Sequence, residues 1–147
     1  MKKILILTCL CGLLLPADSQ GMCKKRKKNK TAVSQQNTLD GTWTLTYLEG
    51  ADMATLYKGK IPVITFDVAG KKVSGNNGCN NFFGPITLDG SSLAFSGPMG
   101  STKMFCPGAG EQQFMEALAK VTSFSFHGPN EIDLIRGDIG VMRLQRK

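Results

Sequence analysis

Short runs of alternating apolar and polar residues, separated by turn-forming residues, extend from Leu39 to the end of the chain. Such period-two runs are typical of strands that bury one face. They predict about eight strands, in the segments 42–47, 64–68, 71–74, 85–88, 92–95, 124–126, 132–134 and 141–144. Asp89-Gly90 predicts a tight hairpin, because glycine adopts the positive φ that such turns need. The pattern therefore predicts an antiparallel β domain.

One segment follows a helical period instead. Phe114, Leu118 and Val121 recur at i, i+4 and i+7, which predicts one amphipathic helix over residues 110–121. Glu111 lies in its first turn, where a carboxylate complements the helix dipole. We expect a mainly β fold of the α+β class: an open or cracked antiparallel β-barrel of about eight strands, covered or plugged by this helix.

The net charge of +7 is confined to the amino-terminal part of the chain. Residues 1–38 carry eight basic residues and one acidic residue, whereas residues 39–147 carry ten of each. A neutral folded domain lacks the basic face that binds a phosphate backbone. We therefore expect no nucleic-acid partner.

Residues 1–19 have the charged, apolar and small-residue order of a secretory signal peptide. The apolar run has about a dozen residues, fewer than the roughly 20 of a transmembrane helix. A permanent membrane anchor is therefore the less favoured alternative. The small residues at the end of the segment favour cleavage between Ser19 and Gln20, with Gly21 as the next choice. We expect export to the periplasm or cell envelope.

Residues 20–38 are polar and basic, and we interpret them as a disordered linker before the domain at 39–147. The basic run at 24–30 is favoured as a solvated spacer. The alternative is contact with anionic lipid head groups, worth about 1 kcal/mol per basic residue near the surface.

Two segments of the domain have an unusual composition. Residues 73–84 place a cysteine among asparagines and glycines, and residues 101–106 end in a second cysteine. This frame resembles the META/HslJ family, whose pattern is a Gly-Cys-Asn-x-Phe/Tyr-x-Gly run followed by a Thr-x-Met-x-Cys run. The matching residues are Gly78, Cys79, Asn80, Gly84, Thr102, Met104 and Cys106.

The resemblance covers residues 39–147 and implies the same cracked barrel. It also implies an association with heat shock or envelope stress, and it names no reaction. Many family members look like lipoproteins, which makes lipid attachment at Cys23 an alternative to a soluble exported chain. The fit is poor, because Met22 rather than a small residue precedes that cysteine.

A mature chain beginning near Gln20 would hold three cysteines: Cys23, Cys79 and Cys106. Outside the cytoplasm cysteines are commonly oxidised, and we expect Cys79 to pair with Cys106. The bridge would close about 27 residues and contribute roughly 3 to 4 kcal/mol. A zinc site is not expected, because neither cysteine has a partner two to four residues away and His127 is the one histidine.

The asparagine-rich run around Cys79 has two interpretations. The favoured one is a sharp connection between strands, since asparagine and glycine enter left-handed turns readily. The alternative is a ligand-facing loop that presents the amides of Asn80 and Asn81. The run lacks the Lys-Ser/Thr ending and following helix of a phosphate-binding loop.

Catalysis is not expected. His127 lies beside Gly128-Pro129-Asn130, where an exposed turn position is favoured. The alternative is a hydrolase built on Cys106 and His127, but the sequence offers no orienting third residue and no oxyanion-hole motif. We expect neither an enzyme nor a bound cofactor.

We therefore expect a monomeric, noncatalytic envelope protein that binds or stabilises an unknown protein partner at or near a membrane surface. The alternative is a carrier that holds a small apolar ligand or lipid inside the cracked barrel. Barrels of about eight strands either fill with side chains or enclose one small ligand. The side chains expected to fill this one are Phe66, Phe82, Phe83, Phe95, Phe114, Phe124 and Phe126.

Overall fold

The computed structural model describes residues 37–147. This part of the chain is mainly β, with ten strands in one antiparallel sheet and two short helices. The strands are β1 (Gly41–Leu48), β2 (Val63–Asp67), β3 (Lys72–Asn76), β4 (Asn81–Pro85), β5 (Thr87–Asp89), β6 (Ser92–Ala94), β7 (Gly100–Ser101), β8 (Ser123–Phe126), β9 (Glu131–Arg136) and β10 (Ile139–Arg146). The helices are α1 (Met53–Leu56) and α2 (Gly110–Ala119).

Several sequence predictions concern residues outside this range. They are the signal peptide, its cleavage site at Ser19 and Gln20, the acylation alternative at Cys23 and the basic run at 24–30. Among the described residues, no helix combines the length and apolar character needed to cross a bilayer.

The sheet curls into a half-barrel. Its strand order is β5-β6-β8-β9-β10-β1-β2-β3-β4-β7. Strands β4 and β5 lie near opposite ends of this order, although Ile86 alone separates them in sequence. The two ends of the sheet must therefore approach each other. Contacts across the curl agree with this, because the ring centroids of Phe66 and Phe95 lie 6.3 Å apart.

The concave side of the sheet is filled by large apolar side chains. Trp43 and Phe66 alternate with outward-facing residues on β1 and β2, and both are almost fully buried. On β4 the alternation turns Phe82 inward and leaves the Phe83 side chain 63% exposed. Phe83 was predicted to lie inside, and that prediction is wrong because neighbouring residues of a strand point to opposite faces.

Helix α2 contributes the remaining part of the core. Phe114 and Leu118 are buried on one side of the helix, as the sequence period predicts. The Phe114 ring packs against Phe82, with ring centroids 5.5 Å apart. The helix therefore covers the concave side near β4 and brings its amino-terminal end to the β3–β4 connection.

The mainly β class is confirmed, but the element count differs from the prediction. The structure adds two strands, β4 and β7, and the short helix α1. Strand β4 was missed because Asn81, Gly84 and Pro85 resemble turn residues, whereas pairing of the whole segment with β3 holds it extended. Strand β7 has two residues and forms through its pairing with Phe82 and Phe83.

Candidate functional site

The connection between β3 and β4 is a compact turn built by an asparagine side chain. The Asn77 side-chain oxygen accepts hydrogen bonds from the backbone N–H groups of Cys79 at 3.1 Å and Asn80 at 2.7 Å. The Asn77 N–H in turn donates to the Asn80 carbonyl at 3.0 Å. Gly78 has a φ of +97°, a conformation that side chains with a Cβ rarely adopt. These contacts turn the Asn80 side chain toward the interior.

Asn80 connects this turn to a distant segment of the chain. Its side-chain oxygen accepts hydrogen bonds from Thr102 Oγ1 and from the Met104 N–H, both at 2.7 Å. Its side-chain nitrogen donates to the Met104 carbonyl at 3.0 Å. The amide therefore pairs with both backbone polar groups of Met104, as a neighbouring strand would.

Asn80 also contacts the start of α2. Its side-chain nitrogen lies 2.9 Å from a Glu111 carboxylate oxygen, and the Asn77 side-chain nitrogen donates to the same carboxylate at 3.2 Å. Glu111 stands in the first turn of α2, where the helix dipole favours a negative charge. We call Asn77, Asn80 and Glu111 the asparagine cluster. Within residues 37–147, every buried side-chain nitrogen and oxygen has a hydrogen-bond partner.

A disulfide reinforces the same connection. Cys79 and Cys106, the pair expected from the sequence, are joined with a Cα–Cα distance of 5.9 Å. We call residues 102–109 the tip loop. The loop is held at Thr102 and Met104 by Asn80 and at Cys106 by the disulfide. Its backbone is therefore fixed along most of its first half.

Two large apolar side chains of the tip loop are exposed to solvent, whereas Thr102 and Cys106 face the asparagine turn. Met104 is 61% exposed and Phe105 is 95% exposed, although both are large apolar residues. The hydrogen bonds between Met104 and Asn80 are made by the Met104 backbone. The arrangement fixes the position of two apolar side chains and leaves them in solvent.

Tyr57 packs beneath this region, and the sequence analysis did not identify it. Its hydroxyl donates to the Gly110 carbonyl at 2.8 Å, and burial raises the pKa of Tyr57 to about 12. A Cβ at Gly78 would lie 2.7 Å from the Tyr57 ring, and one at Gly110 would lie 2.8 Å from it. Both glycines therefore make room for the ring. In the sequence, Gly78 is a signal of this contact: a glycine allows close approach of another residue, but it does not indicate that the residue is Tyr57.

The structure brings together six of the seven predicted motif residues. Cys79 and Asn80 contact the segment that contains Thr102, Met104 and Cys106, and Gly78 precedes them in the same turn. Gly84 lies apart on β4, where it pairs with Val73 and packs against Met99.

The ligand-facing interpretation of the asparagine run does not hold for Asn80, whose side chain is turned inward. Asn81 is exposed, but its side-chain oxygen accepts a hydrogen bond from Asn76 at 2.9 Å. His127 lies far along the chain in an exposed turn, and its Nε2 is 2.8 Å from Asp133. Among residues 37–147, no three His, Cys, Asp or Glu side chains are grouped as they would be around a metal ion.

An open cavity of about 610 Å³ lies beside Gly78 of the asparagine turn. Its walls come from the segment after α1, including Lys58 and Lys60, and from Pro107 and Gly108 of the tip loop. A second groove of about 470 Å³ lies on the outer face of the sheet, beside Phe83. Both are depressions of the surface, and the concave side of the sheet is filled by the core described above.

These observations define a class of protein: a curled antiparallel sheet with one covering helix and a disulfide-linked asparagine turn that supports an apolar loop. The model of the META domain matches residues 36–147, and the chain belongs to the META domain family. No curated protein matches the chain.

Two solved structures share the fold. One is the NMR structure of a protein from Burkholderia xenovorans, which is 24% identical, has a TM-score of 0.54, and aligns over 74% of this chain and 82% of that one. The other, also an NMR structure, is 19% identical, has a TM-score of 0.56, and aligns over 77% of this chain and 94% of that one. At these identities the likeness concerns the fold alone.

Proposed function

We propose that this META-domain protein is a noncatalytic, exported protein of the cell envelope that binds a partner at or near a membrane surface through the tip loop. The observation that carries this proposal is the pairing of a fixed backbone with exposed apolar side chains at Met104 and Phe105. A loop held in one conformation loses little entropy on binding, so its apolar side chains contribute more of their burial energy to affinity.

The filled interior favours partner binding over the carrier alternative. Trp43, Phe66, Phe82 and Phe114 occupy the concave side, each at most 1% exposed. A lipid tail would have to displace several of these side chains. A protein interior is packed as densely as an organic crystal, which makes such displacement costly.

Two features support export. The amino-terminal segment has the order of a signal peptide. Cys79 and Cys106 form a disulfide, and disulfides persist mainly in oxidising compartments outside the cytoplasm. The same bridge engages the Cys106 sulfur, and a hydrolase acting through Cys106 would require a free thiolate there.

The intact mass of the protein from its native envelope fraction tests the proposal, after alkylation of thiols without prior reduction. A soluble exported protein is expected to begin at Gln20 and to carry one alkylated thiol, at Cys23. A chain beginning at an acylated Cys23 would also place it in the envelope, as a lipoprotein. If the chain is recovered only outside the envelope fraction and still carries residues 1–19, export is rejected.

A photo-crosslinking residue at position 105 tests the binding surface in cells. Ile139, the first residue of β10, provides a matched control because its side chain is also large, apolar and 50% exposed. We expect a crosslinked adduct from position 105 and little from position 139. Equal adduct formation from the two positions would remove the tip loop from the proposal.

The stress association implied by the family resemblance is tested separately. Transcript and protein levels should rise when the host is exposed to heat or to an envelope-damaging agent. Unchanged levels under both treatments would remove the stress role and leave the binding function untouched.

A further inference from the structure

Two loops from separate parts of the chain meet at the Gly78 turn and expose similar side chains. The segment after α1 exposes Lys58, Lys60 and Ile61, and the tip loop exposes Lys103 together with its apolar pair. The Lys60 carbonyl lies 3.2 Å from the position that a Cβ of Gly78 would occupy. Both segments contribute walls to the 610 Å³ cavity. The lysines and the apolar side chains therefore share one end of the domain.

The charge at this end is one-sided. Residues 53–66 and 90–110, which include both segments, contain no acidic residue. Their basic residues are Lys58, Lys60 and Lys103. Of the four flanking carboxylates, Asp52 caps α1 and Glu111 accepts hydrogen bonds within the asparagine cluster. The other two, Asp67 and Asp89, end strands β2 and β5. Residues 39–147 carry equal numbers of basic and acidic residues. The excess of positive charge is therefore local.

We infer that this end of the domain docks on a lipid bilayer with anionic head groups. Phe105 and Met104 enter the boundary between head groups and acyl chains, while the three lysines lie at the level of the phosphates. Basic residues around an apolar surface are the combination that binds an anionic interface. The inference rests on the proposed function, because it requires the chain to reach a membrane.

The geometry suits an interface better than a deep pocket in a partner. The two apolar side chains project from a loop whose backbone is fixed, so they can enter a fluid surface without refolding of the domain. The lysines stand on both the tip loop and the neighbouring segment, so the positive charge at this end comes from two separate loops.

Tryptophan fluorescence of the Phe105→Trp variant reports insertion directly. The form of the chain recovered from cells is mixed with vesicles of phosphatidylcholine containing about one-third phosphatidylglycerol. The native Trp43 is fully buried and contributes a constant background. We expect the emission of residue 105 to move to shorter wavelength and to be quenched by lipids brominated near the head group. The matched control Ile139→Trp should show neither change.

Partitioning onto the same vesicles measures the contributions of charge and apolar surface. Each lysine near an anionic surface contributes about fivefold in binding, so Lys58→Gln, Lys60→Gln and Lys103→Gln together should weaken it by about a hundredfold. Phe105→Ser should weaken it by about tenfold, and Ile139→Ser should leave it unchanged. Vesicles of phosphatidylcholine alone should bind weakly.

The outcomes separate this inference from the proposed function. If the vesicles recruit the chain but residue 105 keeps its emission in water, the tip inference is wrong and binding comes from elsewhere in the chain. If position 105 crosslinks to a protein in cells and does not respond to vesicles, the partner is a protein and the lipid inference is wrong. If the chain is not exported, the proposed function fails whatever the vesicles show.

Discussion

The described domain contains two clusters of polar side chains that differ in burial and in what they hold together. In the asparagine cluster, Asn77 and Asn80 are almost fully buried and contact segments far apart in sequence. In the second cluster, Arg143 forms a two-point ion pair with Asp133 at 2.7 and 3.0 Å, and His127 contacts the same carboxylate. That cluster lies on the exposed face of β9 and β10.

The difference shows that the number of hydrogen bonds and ion pairs in a cluster does not by itself measure how much the cluster stabilises the fold. Asp133 and Arg143 face each other across strands that the sheet already pairs, and solvent competes for their charges. Asn80 instead satisfies backbone groups that have no strand beside them. A buried polar group without a partner costs about 1 to 3 kcal/mol, so the buried cluster decides whether the tip loop stays in place.

Replacement of Asn80 by alanine should have the largest effect. Thr102 Oγ1, the Met104 N–H, the Met104 carbonyl and the Glu111 carboxylate would each lose a partner. At about 1 kcal/mol for each of these groups, the free energy of unfolding should fall by about 4 kcal/mol. Urea denaturation measures this. Asn130→Ala, in the exposed β8–β9 turn, is the control and should change it by less than about 0.5 kcal/mol. Similar losses of unfolding free energy in the two variants would contradict the special role of the buried cluster.

Removal of the disulfide should be the next largest effect. The double substitution of Cys79 and Cys106 by alanine opens a loop with a sequence separation of 27, which corresponds to about 3.5 kcal/mol. Denaturation with and without a reducing agent measures the effect. The reductant should destabilise the native chain and leave the double variant unchanged. A reductant effect on both chains would show that another bond is responsible.

Tyr57→Phe should cost about 1 kcal/mol, because it removes the buried hydroxyl and its hydrogen bond to the Gly110 carbonyl. Tyr47→Phe provides the matched control, since Tyr47 is 47% exposed. Urea midpoints of the two variants give the comparison. Equal shifts would mean that the Tyr57 hydroxyl is not a structural contact.

Alkaline titration tests the same side chain in another way. Burial raises the pKa of Tyr57 from 10.0 to about 12, so the unfolded chain loses this proton at a lower pH than the folded chain. The stabilisation is present below pH 10 and is lost as the pH rises toward 12. The native chain should therefore lose stability over this range more steeply than Tyr57→Phe. Parallel curves would contradict the burial of the hydroxyl.

Asp133→Asn should have the smallest effect at neutral pH, because water screens the ion pair. The hydrogen bond from Arg143 lowers the pKa of Asp133 below its usual 3.8, against the opposing effect of partial burial. The contribution is therefore present above pH 3.8 and is lost as the pH falls through the lower folded value. Native and variant midpoints should differ slightly at pH 7 and converge in acid. A difference that grows in acid would contradict this assignment.

Much of the domain could be predicted from its sequence, because the information was local. The period-two runs of β1 and β2 and the helical stripe of Phe114 and Leu118 each lie within a single element. The spacing of side chains on one face is set by the backbone geometry of the strand or helix itself. The apolar pattern can therefore be recognised without knowing what the element packs against. The two motif runs were also local, and they led to the META domain family.

The site was predictable only in part. The sequence indicated that Asn80 and Thr102 belong to one motif, but not that the Asn80 amide would pair with the backbone of Met104. Tyr57 was missed altogether because its partner, Gly110, is 53 residues away. Hydrogen bonds of this kind depend on the relative position of separate segments, and a periodic residue pattern within one segment does not indicate that position.

The sequence by itself therefore determined the β class, the helix α2, most apolar side chains of the core and the family, since each depends on neighbouring residues. The tertiary structure decided that β4 is a strand, that Asn80 faces inward and that Phe105 faces solvent. The physical reason is the same in each case. Strand pairing, burial and exposure are relations between one segment of the chain and another, and they exist only once the sheet has formed.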